Sequence, residues 1–244
     1  MYRDILMLNG WKKHQGFGLR KEWISLYLHN PDNWEENNNL GVRQVESLKS
    51  WIKTCELDRE SQNILFRLFL EKGTEDLLCW EILWVNVVFN FPTALWFIKN
   101  IGYGEWDIKE ILTRMHKNLS HLSLRTVQDA VYELIGMFER TPIGKDLGQG
   151  EVHKEKNRRY IIRNGLLYPN YKSVIYSFIK LFEREKEDRL CLSDDLVWPW
   201  EIFLCEKSFI TKSVILYGNQ FFDIDDSYIY KKYPEEVDLG VALL

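Results

Sequence analysis

Residues 82–98 (ILWVNVVFNFPTALWFI) form a run of 17 positions without a charge, closed off by Glu81 on one side and Lys99 on the other. Such a run belongs either in a bilayer or in a protein core. It falls short of the roughly 20 apolar residues that a helix needs to cross the hydrocarbon, and it carries Asn86, Asn90 and Pro92. Proline has no amide hydrogen to give and breaks a helix where it stands. The pattern therefore predicts one or two buried helices interrupted at Pro92, inside a chain large enough to cover them on all sides. The opening residues, MYRDILMLNGWKKHQGF, hold no apolar stretch of signal-peptide length. The expectation is a cytoplasmic protein with no membrane contact.

The cover for such a core is visible as helical periodicity. With 45% hydrophobic and 28% charged residues over 244 positions, the chain is too apolar for disorder and long enough for one large domain or two small ones. Trp23, Leu26 and Tyr27 share one helical face in 20–29, and Val45, Leu48, Trp51 and Ile52 do so in 42–56, behind Gly41. Further helices are expected at 60–71, at 106–117 through Ile108, Ile111, Leu112 and Met115, and at 171–185. Another runs over 123–138 through Val127, Val131, Leu134, Ile135 and Phe138, with Ser123 as its N-cap. Strand material is confined to short pieces: RYIIRNGLLYP reads as a hairpin or wing, and 213–222 as strand or buried helix. The expected fold is mostly α, with winged-helix or helix-turn-helix units, small β hairpins and a helical second half. The turn-rich TPIGKDLGQG (141–150) is the expected boundary between a helix-turn-helix DNA-binding domain (1–150) and a basic wing with a helical C-terminal domain (151–244).

Familiar catalytic signatures are missing from the sequence. There is no Walker loop, GxGxxG, HExxH or nucleophile elbow. The four cysteines (Cys55, Cys79, Cys191, Cys205) make no CxxC pair, and the five histidines complete no zinc pattern, so the cysteines read as reduced core residues. A net charge of -4 gives no global attraction to nucleic acid, so any DNA contact must come from a local basic face.

Two segments offer such a face. In the first, Gly41 supplies the turn and the apolar stripe of 42–56 leaves Arg43, Gln44, Ser47, Lys49 and Ser50 toward solvent. Arg and Gln early in a reader helix make the bidentate contacts that recognise guanine and adenine, although any amphipathic helix also exposes polar residues. In the second, 106–138 is helix, short turn, helix, with Arg125, Thr126, Gln128 and Asp129 on the outer face of the second helix. The stretch 153–163 follows as a wing with Lys154, Lys156, Arg158, Arg159 and Arg163 against one acid, Glu155. Such charges hold phosphates and position a reader helix, or else form a solvated loop. Asp223, Asp225 and Asp226 could bind Mg²⁺ or Mn²⁺, or cap a turn. His14, close to Arg20 among aromatics, is either a packed histidine or part of a site in which Arg20 braces a phosphate bidentately.

His14-Gln15-Gly16-Phe17-Gly18-Leu19-Arg20 resembles the opening His-x-x-Phe-x-Leu-Arg of the DNA-nicking component family of Ssp-type bacterial DNA phosphorothioation, formerly a domain of unknown function. Leu40-Gly41-Val42 with Val45 and Trp51 is similar to that family's helix-turn-helix. Residues 78–84 (LCWEILW) and Ala94-Leu95-Trp96 look like its Trp-rich central helices. Residues 123–134 resemble its second reader helix, Thr141-Pro142-Ile143-Gly144 and Leu147-Gly148 its loop, and 160–165 its wing. The order is kept along nearly the whole chain. Lys13 stands where the family has glycine, Arg43-Gln44 replaces a small linker, and Asn164 is inserted between Arg163 and Gly165. The resemblance implies a protein that finds a short double-stranded DNA site and nicks one strand as part of phosphorothioate marking and phage defence. Its implied partners are a cysteine desulfurase, an ATP-pyrophosphatase-like sulfur enzyme and an ATPase. It carries over no catalytic residues. Backbone cleavage commonly uses carboxylates with Mg²⁺, so the candidates are His14, Arg20, Asp223, Asp225 and Asp226. Two other classes stay open: a non-enzymatic helix-turn-helix regulator or adaptor, and an interaction subunit whose aromatic surface docks an ATPase.

Overall fold

A computed structural model of the chain describes residues 9–58, 64–156 and 158–233. Its first helices are α1 (Lys21–His29), α2 (Val42–Thr54), α3 (Ile64–Lys72), α4 (Leu77–Asn90) and α5 (Pro92–Asn100). Pro92 takes the first position of α5, where its missing N–H costs nothing, and the axes of α4 and α5 turn by 99° at the break. Among the described residues no single helix is long and apolar enough to cross a membrane. Trp80, Trp84 and Trp96 are fully buried. The two asparagines of the uncharged run are also satisfied. Asn86 donates to Cys55 O (2.8 Å) and accepts from the Tyr176 hydroxyl (2.6 Å), while Asn90 donates to Thr54 O and Glu56. Buried amides held this way avoid an unpaired polar group and lock α4 to its neighbours. The expected helix at 60–71 is seen from Ile64, and its first residues lie outside the described ones.

The chain continues through β1 (Gly104–Asp107), α6 (Ile108–Asn118), α7 (Leu124–Arg140), the one-turn α8 (Pro142–Lys145), β2 (Glu151–Glu155) and β3 (Arg158–Arg163). Ser123 caps α7 by accepting from Thr126 N. Trp106, expected in a helix, lies in β1 instead. The Asp107 side chain accepts from Lys109 N and so starts α6 at Ile108, while Trp106 pairs with Ile161. The antiparallel sheet has the order β1-β3-β2. After it come α9 (Tyr171–Glu185), β4 (Arg189–Cys191), α10 (Pro199–Phe203), α11 (Lys207–Tyr217), β5 (Phe222–Ile224) and β6 (Tyr228–Lys231). The last strands form a second antiparallel sheet of order β4-β6-β5. Helices dominate, and both sheets are small. The segment 213–222 is helix as far as Tyr217, then a turn, with strand beginning at Phe222.

Segment 141–150, expected as a domain boundary, is a packed hub. Ile143, Gly144, Leu147, Gln149 and Gly150 are buried, and one hydrophobic cluster runs from Trp11 to Ile229 across it. β1 and β3, from opposite sides of position 150, pair along their length. Gln149 donates to Leu147 O and Phe203 O and accepts from Arg163. Turn-rich composition here serves close approach: Gly148 has φ +62° and lies directly against the Gly165 carbonyl. Left-handed backbone with no room for a Cβ leaves glycine as the fitting residue.

The N-terminal segment straps the outside of α7. Lys12 reaches Asp129 (2.8 Å), the backbone of Lys13, His14 and Gly16 donates to Glu133, and Gly18 packs on Gly136. A Cβ on Gly18 would overlap the Gly136 carbonyl carbon and Met137 nitrogen, backbone atoms that cannot swing aside. Gly18→Ala should therefore cost about 1–3 kcal/mol and lower Tm by roughly 2–4 °C per kcal/mol in a thermal melt. Gly102→Ala, where an added Cβ meets nothing, is the matched control and should leave Tm in place.

Candidate nucleic-acid interface

The strap, the start of α2 and the start of α7 meet in one cleft of about 260 Å³ lined by Lys12, Lys13, Gln15, Gly16, Arg43, Arg125, Asp129 and Glu133. Gly41 places Arg43 in the first turn of α2, and Ser123 places Arg125 in the first turn of α7. Both arginines are exposed. Arg43 donates to Gln15 O (2.9 Å) and lies over the Phe17 ring, which fixes its stem. Lys13 donates to Asn90 O, and burial pulls its pKa below the ordinary lysine value against the pull of Cys55 and Glu133. Four cations from three elements thus share one concavity whose acids are already engaged, Asp129 with Lys12 and Glu133 with backbone amides. The positive ends of α2 and α7 add about half a charge each. Such a cleft is suited to a polyanion.

Of the residues expected to read DNA, Arg43 and Arg125 are brought together here and several others are not. Gln44 caps its own helix, accepting from Gly41 N (3.2 Å). Ser47 is fully buried and faces the core instead of solvent, a correction that follows from its place one residue before Leu48 on the packed side of α2. Lys49 pairs with Glu35 (2.7 Å) and Glu46. Thr126 meets the Ser123 hydroxyl in the N-cap (2.9 Å), and Gln128 is half-buried.

The wing spends most of its positive charge internally. Lys154 and Arg159 both pair with Glu139 (2.8 Å each). Arg158 pairs with Glu105 (2.6 Å) and Asp107 (3.2 Å). Lys156, at φ +43° in the hairpin turn, is exposed. Arg163 is fully buried, so it does not contact a surface ligand. It donates to Ile101 O, Gln149 Oε1 (3.1 Å) and Glu201 O (3.2 Å), with its guanidinium over the Phe97 ring. Burial holds its pKa down to about 9, opposed by Glu201. Its alternating strand position, inward with Ile161, is the signal that places it in the core.

His14 is also fully buried. Its ring stacks on Trp51 at 3.6 Å and meets the edge of Phe91. Nδ1 lies 3.1 Å from Glu133 Oε2 and Nε2 3.0 Å from Thr54 Oγ1. The adjacent carboxylate favours an imidazolium, yet burial outweighs it and the pKa is lowered. A neutral ring donates through Nδ1 to the carboxylate, and the single Thr54 hydroxyl proton is then shared between Ser50 O (2.9 Å) and Nε2 (3.0 Å). With both nitrogens occupied, His14 ties the strap to α2 and α7. Arg20, half-exposed at the N-cap of α1, lies over Trp23.

The acidic cluster lies in the β5–β6 turn and shares no described partner with His14 or Arg20. Asp225 Oδ1 accepts from Ser227 N and Tyr228 N, and Oδ2 from the Tyr230 hydroxyl. Those amide bonds hold its carboxyl below the usual range. Asp223 pairs with Lys232 (3.1 Å), and Asp226 is exposed. Asp225 closes the turn as an acceptor and Asp223 is taken by Lys232, so the three carboxylates do not form the near-octahedral oxygen shell that a Mg²⁺ or Mn²⁺ ion demands. Among the described residues no group of three or more His, Cys, Asp or Glu side chains could hold a metal.

Fold and cleft together define an α-rich protein with two small antiparallel sheets, in which the N-terminal strap and the first turns of α2 and α7 line a groove bearing four cations. No protein-family model and no curated protein matches the sequence. Among solved structures, the chain is similar in fold to a magnesium ion-bound SspB crystal structure (TM-score 0.70, 11% identity, 94% of this chain and 84% of that one). It is likewise similar to a second SspB crystal structure (TM-score 0.67, 11% identity, the same coverage). The fold is SspB-like.

Because folded His14 resists a proton that the unfolded chain accepts near pH 6.5, its contribution to stability is complete above that pH and is lost as pH falls toward the lowered folded value. Urea denaturation from pH 7.5 to 5 should show this loss, with a slope from this group of up to about 1.4 kcal/mol per pH unit. In His14→Phe, which keeps a ring against Trp51, that part of the slope should vanish.

Proposed function

We propose that this chain binds DNA and nicks one strand within an Ssp-type phosphorothioation and phage-defence system in the cytoplasm. It would act with a cysteine desulfurase, an ATP-pyrophosphatase-like sulfur enzyme and an ATPase. The observation that carries the reading is the convergence of Arg43 and Arg125, from the first turns of two separate helices, with Lys12 and Lys13 in one cleft. The SspB-like fold supports the system assignment, as does the ordered resemblance of the His14–Arg20 motif. In this reading β1, α6, α7 and the β2–β3 hairpin act as a winged-helix unit. α7 is the reader, Arg43 and Arg125 face base edges or phosphates, and Lys12 and Lys13 hold the backbone. Lys156 at the wing tip adds a phosphate contact. The scissile step is placed neither on His14, whose two ring nitrogens are engaged, nor on the acidic turn, where Asp223 and Asp225 are engaged and Asp226 is a lone exposed carboxylate.

That engagement favours a second reading, a DNA-binding adaptor whose partner cuts. A supercoiled-plasmid assay in Mg²⁺, Mn²⁺ or EDTA separates the two. Conversion to open circles, lost in an Arg43→Ala/Arg125→Ala variant that folds normally, is expected of the nickase. Retarded but uncut plasmid would leave the adaptor. Binding that does not weaken as salt rises would sink both, because phosphate contacts release counterions and make log K fall by roughly 0.9 per contact with log salt.

A further inference from the structure

We infer that the outer face of α11, with the groove between it and the β5–β6 turn, docks a basic amphipathic helix of a partner protein. The inference does not rest on the DNA-binding reading above. α11 is apolar on both sides. Ile210 and Val214 are buried against the core, while Ile215, Leu216 and Tyr217 are each more than half exposed. A helix with apolar residues all round belongs inside a protein, and this one is covered on one side only. Exposed rings extend the same surface. Tyr168, 76% exposed, meets Phe209 edge-on at 5.5 Å, and Tyr171 lies 4.6 Å from Tyr217 at the other end of the helix. Single apolar residues on a surface need no explanation, whereas a contiguous patch marks a contact.

The groove gives the partner its sign. It holds about 570 Å³, and its apolar walls are Leu192, Ile215 and Ile224. Its charged lining is Glu206, Asp225 and Asp226 against Lys207 alone, and the Lys207 ammonium sits over the Trp200 ring at 5.0 Å. Lys212 is exposed on the same helix but does not line the groove. Glu206 stands at the N-cap of α11 without making a capping bond, and Asp226 is exposed in the turn, which leaves both carboxylates to a cation from outside. An apolar floor with an acid rim repels nucleic acid and anionic lipid. In a symmetric dimer the patch would meet itself and set the two acid rims against each other. What fits is a helix whose apolar residues, spaced three and four apart, lie along α11 while lysine or arginine at its flank meets the rim. The 11 residues of α11 run about 16 Å, roughly three turns of such a partner.

The test is methyl NMR of the full-length protein, titrated with a synthetic helical peptide that carries a leucine face and a lysine face. A second peptide has every lysine replaced by glutamate. The methyls of Leu192, Ile215, Leu216 and Ile224 should shift and saturate with the lysine peptide and stay still with the glutamate one. Those of Leu70, exposed on α3, should stay still with both. Ile215→Ser/Leu216→Ser alters two side chains that are mostly exposed, so Tm should hold while binding weakens by about tenfold or more, the loss of two apolar contacts. Glu206→Gln/Asp226→Asn should weaken binding several-fold at low salt and flatten its salt dependence. Equal responses to the two peptides would overturn the basic partner. Shifts of the same methyls with protein concentration alone, together with a dimer mass in sedimentation, would overturn it in favour of a second copy. Methyls that stay still with the lysine peptide, or a response unchanged in the serine variant, would overturn the docking site.

Discussion

The carboxylate of Glu133 organises this molecule. It lies on α7 beneath the N-terminal strap, 1% exposed, where an unpaired charge costs several kcal/mol. The N-terminal strap removes that cost by delivering the backbone N–H groups of Lys13, His14 and Gly16 and the His14 ring to its two oxygens. His14 passes the connection on to Thr54 and, by stacking, to Trp51 on α2. One acid thus fixes three elements in register. Without it, Arg43 and Arg125 would belong to unrelated helices, and no cleft would join them.

The same register controls the far end of the helix. Gly18 against Gly136 brings strap and helix into backbone contact, so the positions of Arg20 and Lys12 are set from one origin rather than by their own flexible side chains. A polar strap of this kind differs from apolar packing in what it tolerates. Volume changes in the α4–α5 core are absorbed by neighbouring side chains at moderate cost. A residue added to the strap between Lys12 and Arg20 shifts every cation downstream relative to α7.

Local signals explain what was legible in the sequence. The break at Pro92, the cap at Ser123 and the helical faces of α2, α6 and α7 depend on neighbours three or four residues away, and they stand where their spacing puts them. Trp106 departs from the helical expectation because an apolar residue before Asp107 fits a helical stripe equally well until a strand from beyond position 150 pairs with it. Residue type alone puts Ser47 and Arg163 at the surface, whereas Ser47 lies on the packed side of α2 and Arg163 is held by partners distant in sequence, Ile101, Gln149 and Glu201. Glu133 left a faint trace: a charged residue adjoining the apolar stripe of Val131, Leu134 and Ile135. Its partners lie 117 to 120 positions away, beyond anything periodicity reports. Resemblance to a known motif singled out His14, and the structure gives that motif a physical reason to exist, as a strap rather than a display of reactive groups.

Charge counting misleads in the wing for a related reason. Five cations in 153–163 look like a long electrostatic footprint, yet Arg163 is sunk in the core, Arg158 is held by two acids of β1, and Lys154 and Arg159 share Glu139. Surface pairs of that sort add little stability, typically under about 1 kcal/mol each, but they cancel the far field of the hairpin. What remains positive is concentrated at the start of α7, where Lys12, Lys13, Arg43 and Arg125 line one cleft between strap, α2 and α7. For a chain of net charge -4, that concentration matters more than the total. Fields from charges gathered in a concavity focus there and are felt before the weak net charge of the whole chain. The position of the cations, set by the strap on Glu133, thus decides more about the electrostatics of this face than their number does.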